Sequence, residues 1–283
     1  MIIDFHTHAF PDELAGRAVS KLSAMSHIPA FSDGTYRALS ASAREAGIDL
    51  SVVLPVATSA KQVATINDTA ARVNEHTQQT GLFSFGGIHP DTPNWREELG
   101  RIAALGFKGI KLHPVYQGVD FDDPRYLRIL DRAGELGLIV ITHAGLDIGY
   151  PGEVRCSPEM VLRALRQVGP VTLVLAHMGG WRQWDQAREL LAGTSVYLDT
   201  AFSLDAFTPL DDGYYSPEEL RLLDQEGFLR IAEAFGTDRL LFGTDSPWSA
   251  QRRDIDWIRA LPLSQAQKDA ILGENARRLL ALA

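Results

Sequence analysis

The chain predicts a single-domain (β/α)8 TIM barrel, and three observations predict it. Eight short apolar runs recur along 283 residues, and amphipathic segments separate them. After the first run stands His-Thr-His, where an open doubly wound sheet would carry a Gly-rich phosphate loop. A barrel of this kind commonly takes about 250 residues, so one domain over 1–283 accounts for the whole chain. No Ser/Gly linker, long charge run or internal repeat marks a second domain.

Taken in order, the runs also carry the polar residues of interest. IIDFH (2–6) ends on His6, and His8 follows; DLSVVLP (49–55) is wholly apolar toward its end. LFSFGGI (82–88) leads into His89, and FKGIKLH (107–113) holds Lys111 and His113. LIVITH (138–143) ends on His143, and VTLVLAH (171–177) on His177. SVYLDT (195–200) contains Asp199, and LLFGTD (240–245) ends on Asp245. Most runs are β-branched or aromatic and too short for helices, so they read as buried parallel strands. Between them, DPRYLRILDRAGELG (123–137) and SPEMVLRALRQVG (157–169) each begin with a capping residue followed by Pro and end in Gly. That is the polarity a helix prefers.

Composition narrows the class. Hydrophobic residues make up 45% and charged residues 22%, as in an ordinary globular domain rather than a disordered chain. The net charge of −9 argues against a general nucleic-acid or anionic-membrane partner, which would be repelled on average. The single cysteine, Cys156, cannot close an intrachain disulfide and fits a reducing compartment. No signal peptide and no run near the roughly 20 apolar residues of a membrane helix is present, so a cytoplasmic location is expected. A small-molecule substrate is the expected partner; many barrels of this type form homodimers, but no surface motif specifies one.

In such barrels the active site gathers at the C-terminal strand ends. Six of the eight histidines fall there; His27 and His76 do not. Side chains alternate along a strand, so His6 and His8 share a face, as do Lys111 and His113. A catalytic zinc takes N/O ligands at about 2.0–2.2 Å and keeps one position open for water. His6, His8, His143 and Asp245 supply such a set, because the first and last strands of a closed barrel are neighbours. The same alternation places Asp4 on the histidine face but deeper, as a supporting residue. Read singly, His89 and His113 are capping or hydrogen-bonding residues, Asp199 is mainly structural, and Asp245 could be a helix N-cap. Cys156 reads as a loop residue rather than a nucleophile, since no base is placed beside it.

At these residues the chain resembles the amidohydrolase superfamily, and most of all its amidohydrolase-2 branch. The matching pieces run in family order: DFHTH (4–8), GFKGIKLHP (106–114), VITHAG (140–145), LVLAHMGGW (173–181), LLFGTDSPW (240–248) and ILGENARRLL (271–280). The resemblance implies a catalytic divalent metal on His6, His8, His143 and Asp245. It also implies that His177 moves a proton beside the substrate, with Asp245 serving as ligand and catalytic carboxylate together. Zinc is the first expectation, with manganese or another divalent ion as the alternative. One ion is favoured. Two-metal relatives bridge their ions through a carboxylated lysine at the position of Lys111, so that design stays open. Otherwise Lys111 binds a substrate carboxylate or joins a structural ion pair.

Three reactions fit the resemblance. The first is hydrolysis of an amide, lactone or ester-like bond. The second is non-oxidative decarboxylation of an aromatic or unsaturated acid. The third is a TatD-like deoxyribonuclease, suggested by GIHP (87–90) and TDSP (244–247). Lys111 stands where a TatD-like site wants a carboxylate, which puts the nuclease last. The compact chain favours hydrolysis over decarboxylation, since the decarboxylases of the branch tend to carry inserted loops. Segments 145–158 and 201–217 are long and rich in Gly, Pro and aromatics, so they are expected to overhang the mouth, with 10–31 on the other side. Lys111, Tyr116 and Arg155 are the candidates to hold an anionic group. His113 and Trp248 complete the expected substrate-binding set.

Overall fold

A computed structural model describes residues 1–282. Its strand segments are β1 (Ile3–Thr7), β2 (Leu50–Val53), β3 (Leu82–Ser84), β4 (Gly86–Gly87), β5 (Gly109–Leu112), β6 (Ile139–Thr142), β7 (Leu173–Leu175), β8 (Tyr197–Asp199) and β9 (Leu240–Leu241). They form two parallel sheets in sequence order, β1 to β3 and β4 to β9. β3 and β4 are the two halves of the run at 82–88, interrupted at Phe85, so the segments make eight staves. Backbone hydrogen bonds close both seams. Phe85 N donates to Val53 O at 2.9 Å, and Phe5 N to Phe242 O at 2.7 Å. Asp245 N to His6 O at 2.8 Å and His8 N to Ser246 O at 2.7 Å then tie the last stave to the first.

Period-two alternation sorts the strand side chains into two layers. Ile139 and Ile141 of β6 point into the barrel with Phe5, Phe85, Val174 and Leu241. Their neighbours Leu138 and Val140, with Ile110, Leu112, Leu173, Leu175 and Leu198, face the surrounding helices. Ala276 and Leu280 of the C-terminal segment join the inner cluster. Gly109 shows how tightly the interior is filled. A Cβ there would stand 2.4 Å from the Phe85 ring and 2.5 Å from Ile139 O, so only glycine fits.

One strand departs from simple alternation. The pairing of β1 with β2 slips between Asp4 and Thr7. Phe5 lies in the inner cluster, yet His6 and His8 also turn into the mouth. Asp4 faces the opposite way. Its carboxylate accepts from Thr244 N, Thr244 Oγ1 and Gln251 Nε2 of the helix Gln251–Ala260. The expectation that Asp4 shares the histidine face is thereby corrected: an irregularity of one residue reverses the side-chain phase. Asp4 still supports the site, by fixing the backbone just before Asp245.

The two expected helices are present as Pro124–Glu135 and Pro158–Leu165, capped by the side chains of Asp123 and Ser157. Among the described residues no helix is long and apolar enough to cross a membrane. The three expected overhanging segments meet in one apolar cluster. Ile28, Phe202 and Phe207 pack with Trp181, and Leu146, Ile148, Tyr215 and Trp248 lie against them. Leu210 N donates to His27 O, and His27 Nδ1 meets Asp211 Oδ2 at 2.7 Å, fastening the loop after β8 to the first long helix.

Candidate active site

Each of four imidazoles at the mouth has one ring nitrogen against an acceptor in the barrel wall. His6 Nδ1 meets Asp199 Oδ2 at 2.8 Å, and His8 Nδ1 meets Leu54 O at 2.9 Å. His177 Nδ1 meets Ala201 O at 2.9 Å, and His143 Nε2 meets Leu146 O at 3.0 Å. Carbonyl and carboxylate oxygens only accept, so those four nitrogens carry the protons. A neutral ring then leaves its other nitrogen bare. The bare nitrogens face one another: His6 Nε2 and His8 Nε2 are 3.2 Å apart, His177 Nε2 and His143 Nδ1 3.0 Å. Lone pairs opposed at such distances repel unless a cation or a proton lies between them.

The donor set fits a divalent cation. His6 Nε2 and His8 Nε2 lie 3.4 and 3.1 Å from Asp245 Oδ1. Those spacings match the edge of a tetrahedron around an ion with bonds near 2.1 Å, which is about 3.4 Å. The His6 and His8 rings are inclined at 74°, so their in-plane lone pairs can converge. Burial first, and then the neighbouring Lys111, holds His6 well below the usual imidazole range; burial and His177 do the same for His143. Both are therefore neutral, as metal ligation requires. Burial opposes ionisation of Asp245, but positive charge shared among the facing His6, His8 and His177 outweighs it and lowers the carboxyl to about 2.

His143 touches His177 directly, and the His177 ring is 5.3 Å from the His6 ring. The structure therefore brings His6, His8 and Asp245 into one group, with His143 adjoining it through His177. A second buried group, His113, His143 and Asp147, also has its ligand atoms close together. Its rings, however, are stacked, with centroids 4.4 Å apart and planes only 14° from parallel. Parallel rings aim their lone pairs along parallel lines rather than at one point, so this group fits a metal less well than His6, His8 and Asp245 do. Burial pushes the Asp147 carboxyl up to about 6.

Lys111 Nζ stands 3.2 Å from His6 Nε2, beside the triad. Burial lowers its pKa to about 8, against the pull of Asp199, Asp245 and Asp147. Tyr116 stacks on His113 at 3.8 Å and leans toward Tyr150, forming an aromatic wall with it. Trp248 lies in the apolar cluster over the mouth. Arg155 is different. Its guanidinium is matched by Asp120 at 3.1 Å and Glu153 at 3.2 Å, so the expectation that it holds an anionic group is not carried further. His89 caps a turn by accepting from Asp91 N, apart from the triad.

His177 and Asp245 adopt left-handed backbone conformations, with φ of 61° and 65°, which side-chain-bearing residues rarely take. Such strain gathers at functional sites. The match to a family model now joins the geometry: the model described as Amidohydrolase covers residues 3–282. The chain belongs to the amidohydrolase family. No curated protein matches this amidohydrolase-family chain by sequence. Solved structures match it over its whole length. An uncharacterised TIM-barrel protein from Bordetella bronchiseptica is 21% identical, with TM-score 0.74 and coverage of 99% of this chain and 98% of that one. The 5-carboxyvanillate decarboxylase LigW of Sphingomonas paucimobilis is 15% identical, with TM-score 0.68 and coverage of 100% and 99%. A dihydroxybenzoic acid decarboxylase of Polaromonas, solved with bound manganese and an inhibitor, is 16% identical, with TM-score 0.66 and coverage of 99% and 97%.

Sequence reasoning named Asp199 but read it as mainly structural, and it missed Asp147. Asp199 follows the inward alternation of β8 and offered that signal. Asp147 sits in a loop, where no periodicity points inward.

Proposed function

We propose that the protein is a metal-dependent lyase that removes CO₂, without oxidation, from a small aromatic or unsaturated carboxylic acid. The observation that carries the proposal is Lys111, a fully buried ammonium beside the triad with no carboxylate paired to it among the described residues. A buried charge without a partner is costly, and a carboxylated ligand supplies the partner. His6, His8 and Asp245, with His143 Nδ1 beside them, would hold the ion. When bound, a divalent ion supplies Lewis acidity to an oxygen-rich substrate. Manganese is held by a decarboxylase of the same fold, and zinc suits the N/O donor set equally.

This ordering reverses the one that chain length suggested. Two of the solved structures that share the fold across the whole chain are decarboxylases of ring acids, and they reach it without this chain being longer. The residues divide the work. Lys111 Nζ binds the carboxylate, and the Tyr116–His113 stack offers a flat wall to a planar ring. Trp181, Phe202 and Phe207 exclude water from above. Neutral His177, whose bare Nε2 faces inward, would first accept a proton from the substrate or a water and then return it to the carbon that loses CO₂.

Hydrolysis is the second reading, favoured by Asp245, which is ionised at the triad and so able to accept a proton from water. One experiment separates them. Protein reconstituted with manganese or zinc is offered hydroxybenzoates, other unsaturated acids, lactones and amides. Release of CO₂ supports the proposal; acid release from a lactone or amide with no CO₂ sinks it.

A further inference from the structure

We propose that Asp199 is a positioning residue that sets both the metal affinity of the site and the placement of His177. The inference rests on the metal-site reading above, but not on which reaction the site performs. Asp199 is fully buried, and its two carboxylate oxygens are divided between two tasks. Oδ2 meets His6 Nδ1 at 2.8 Å. Oδ1 accepts from His177 N at 2.9 Å and from Ala201 N at 3.1 Å. The Asp199 main-chain carbonyl adds a 2.7 Å bond from Met178 N.

The first task is a choice of tautomer. A carboxylate can only accept, so the His6 proton stays on Nδ1 and Nε2 presents its lone pair to the triad. The second task is to hold an unfavourable turn. His177 and Met178 both have positive φ, 61° and 56°, and the bonds from Asp199 secure the two peptides that make the turn. Ala201, held by the same oxygen, in turn accepts from His177 Nδ1 at 2.9 Å. One carboxylate thus sets which nitrogen of His6 is bare and where the His177 ring lies.

Asparagine separates the tasks. In Asp199→Asn the amide oxygen can still accept from His177 and Ala201, while the amide NH₂ faces His6 Nδ1. His6 must then accept there, and its proton moves to Nε2, against the triad. Asp199→Ala loses both functions.

The test uses the whole chain, freed of metal and titrated with Mn²⁺ or Zn²⁺ in competition with a chromophoric chelator. Nitrogen-15 NMR of the His6 ring and thermal melting of the metal-free protein accompany it. For Asp199→Asn we expect metal affinity weaker by about 10- to 100-fold, the His6 proton on Nε2, and melting close to wild type. Asp199→Ala should lose affinity and melt lower; if it fails to fold, the asparagine variant decides alone. Wild-type affinity in Asp199→Asn overturns the proposal, as does weakened affinity with the proton still on Nδ1. A wild-type chain that takes up neither metal overturns the metal-site reading itself, which is a distinct result.

Discussion

Lys111 Nζ lies 3.2 Å from His6 Nε2, so a buried ammonium and a bare imidazole nitrogen face the same small volume at the centre of the mouth. Lys111→Met keeps the length and apolar stem of the side chain but removes the charge. It should weaken binding of carboxylated substrates by one to two orders of magnitude, in line with roughly 1.5–3 kcal/mol for a hydrogen bond to a charged group. KM or Kd for a carboxylate, compared with that for its uncharged amide, checks this. Equal losses for both ligands would remove Lys111 from carboxylate recognition.

His6 and His8 supply two of the three atoms grouped with Asp245. Replacing both with alanine should abolish stoichiometric metal uptake, because Asp245 and the adjoining His143 then keep only half of the donor set. Elemental analysis of the purified double variant against wild type measures it. A ratio near one ion per wild-type chain favours the single-ion design; a ratio near two favours a bridge at Lys111.

Gly109 is required by sterics rather than by flexibility, since a Cβ there meets the Phe85 ring and a backbone oxygen that cannot move aside. Gly109→Ala should destabilise the fold by about 1–3 kcal/mol, the usual scale of overpacking. Urea denaturation gives the value, and a variant as stable as wild type would contradict the close approach. The companion change Phe85→Leu should recover part of the loss.

Asp254 sets a pH dependence away from the mouth. Burial raises its carboxyl to about 6, against the pull of Arg253 and the hydrogen bond from Ser249. Between pH 4 and 6 the folded chain thus binds more protons at this residue than the unfolded chain does. Stability from Asp254 is therefore full below pH 4 and falls as pH rises to 6. The shift of about two units corresponds to about 3 kcal/mol. Asp254→Asn should flatten that component in urea titrations run at several pH values. An unchanged slope would show that Asp254 ionises normally in the fold.

Much of the architecture was legible before any coordinates. Eight apolar runs, most with a His or Asp at or just past the C-terminal end, specify a barrel whose polar residues collect at one mouth, because strand alternation and parallel connectivity are local consequences of residue pattern. His6, His8 and Asp245 could be grouped on that logic, since closure of the barrel makes first and last staves adjacent. The logic failed at Asp4, where a slip of one residue in pairing with β2 reversed the phase. Such a slip depends on hydrogen bonds to another strand and leaves no mark in the run itself.

What the sequence by itself determined is the fold, the family and which side chains are candidates to bind a metal. The tertiary structure decided which nitrogen of each imidazole is bare, that Asp199 selects it for His6, and that Arg155 is already paired with Asp120 and Glu153. It also separated the convergent His6–His8 pair from the stacked His113–His143 pair. The reason is physical. Residue type and spacing set which groups reach the mouth, whereas ring orientation, tautomer and charge pairing follow from contacts between residues far apart in the chain.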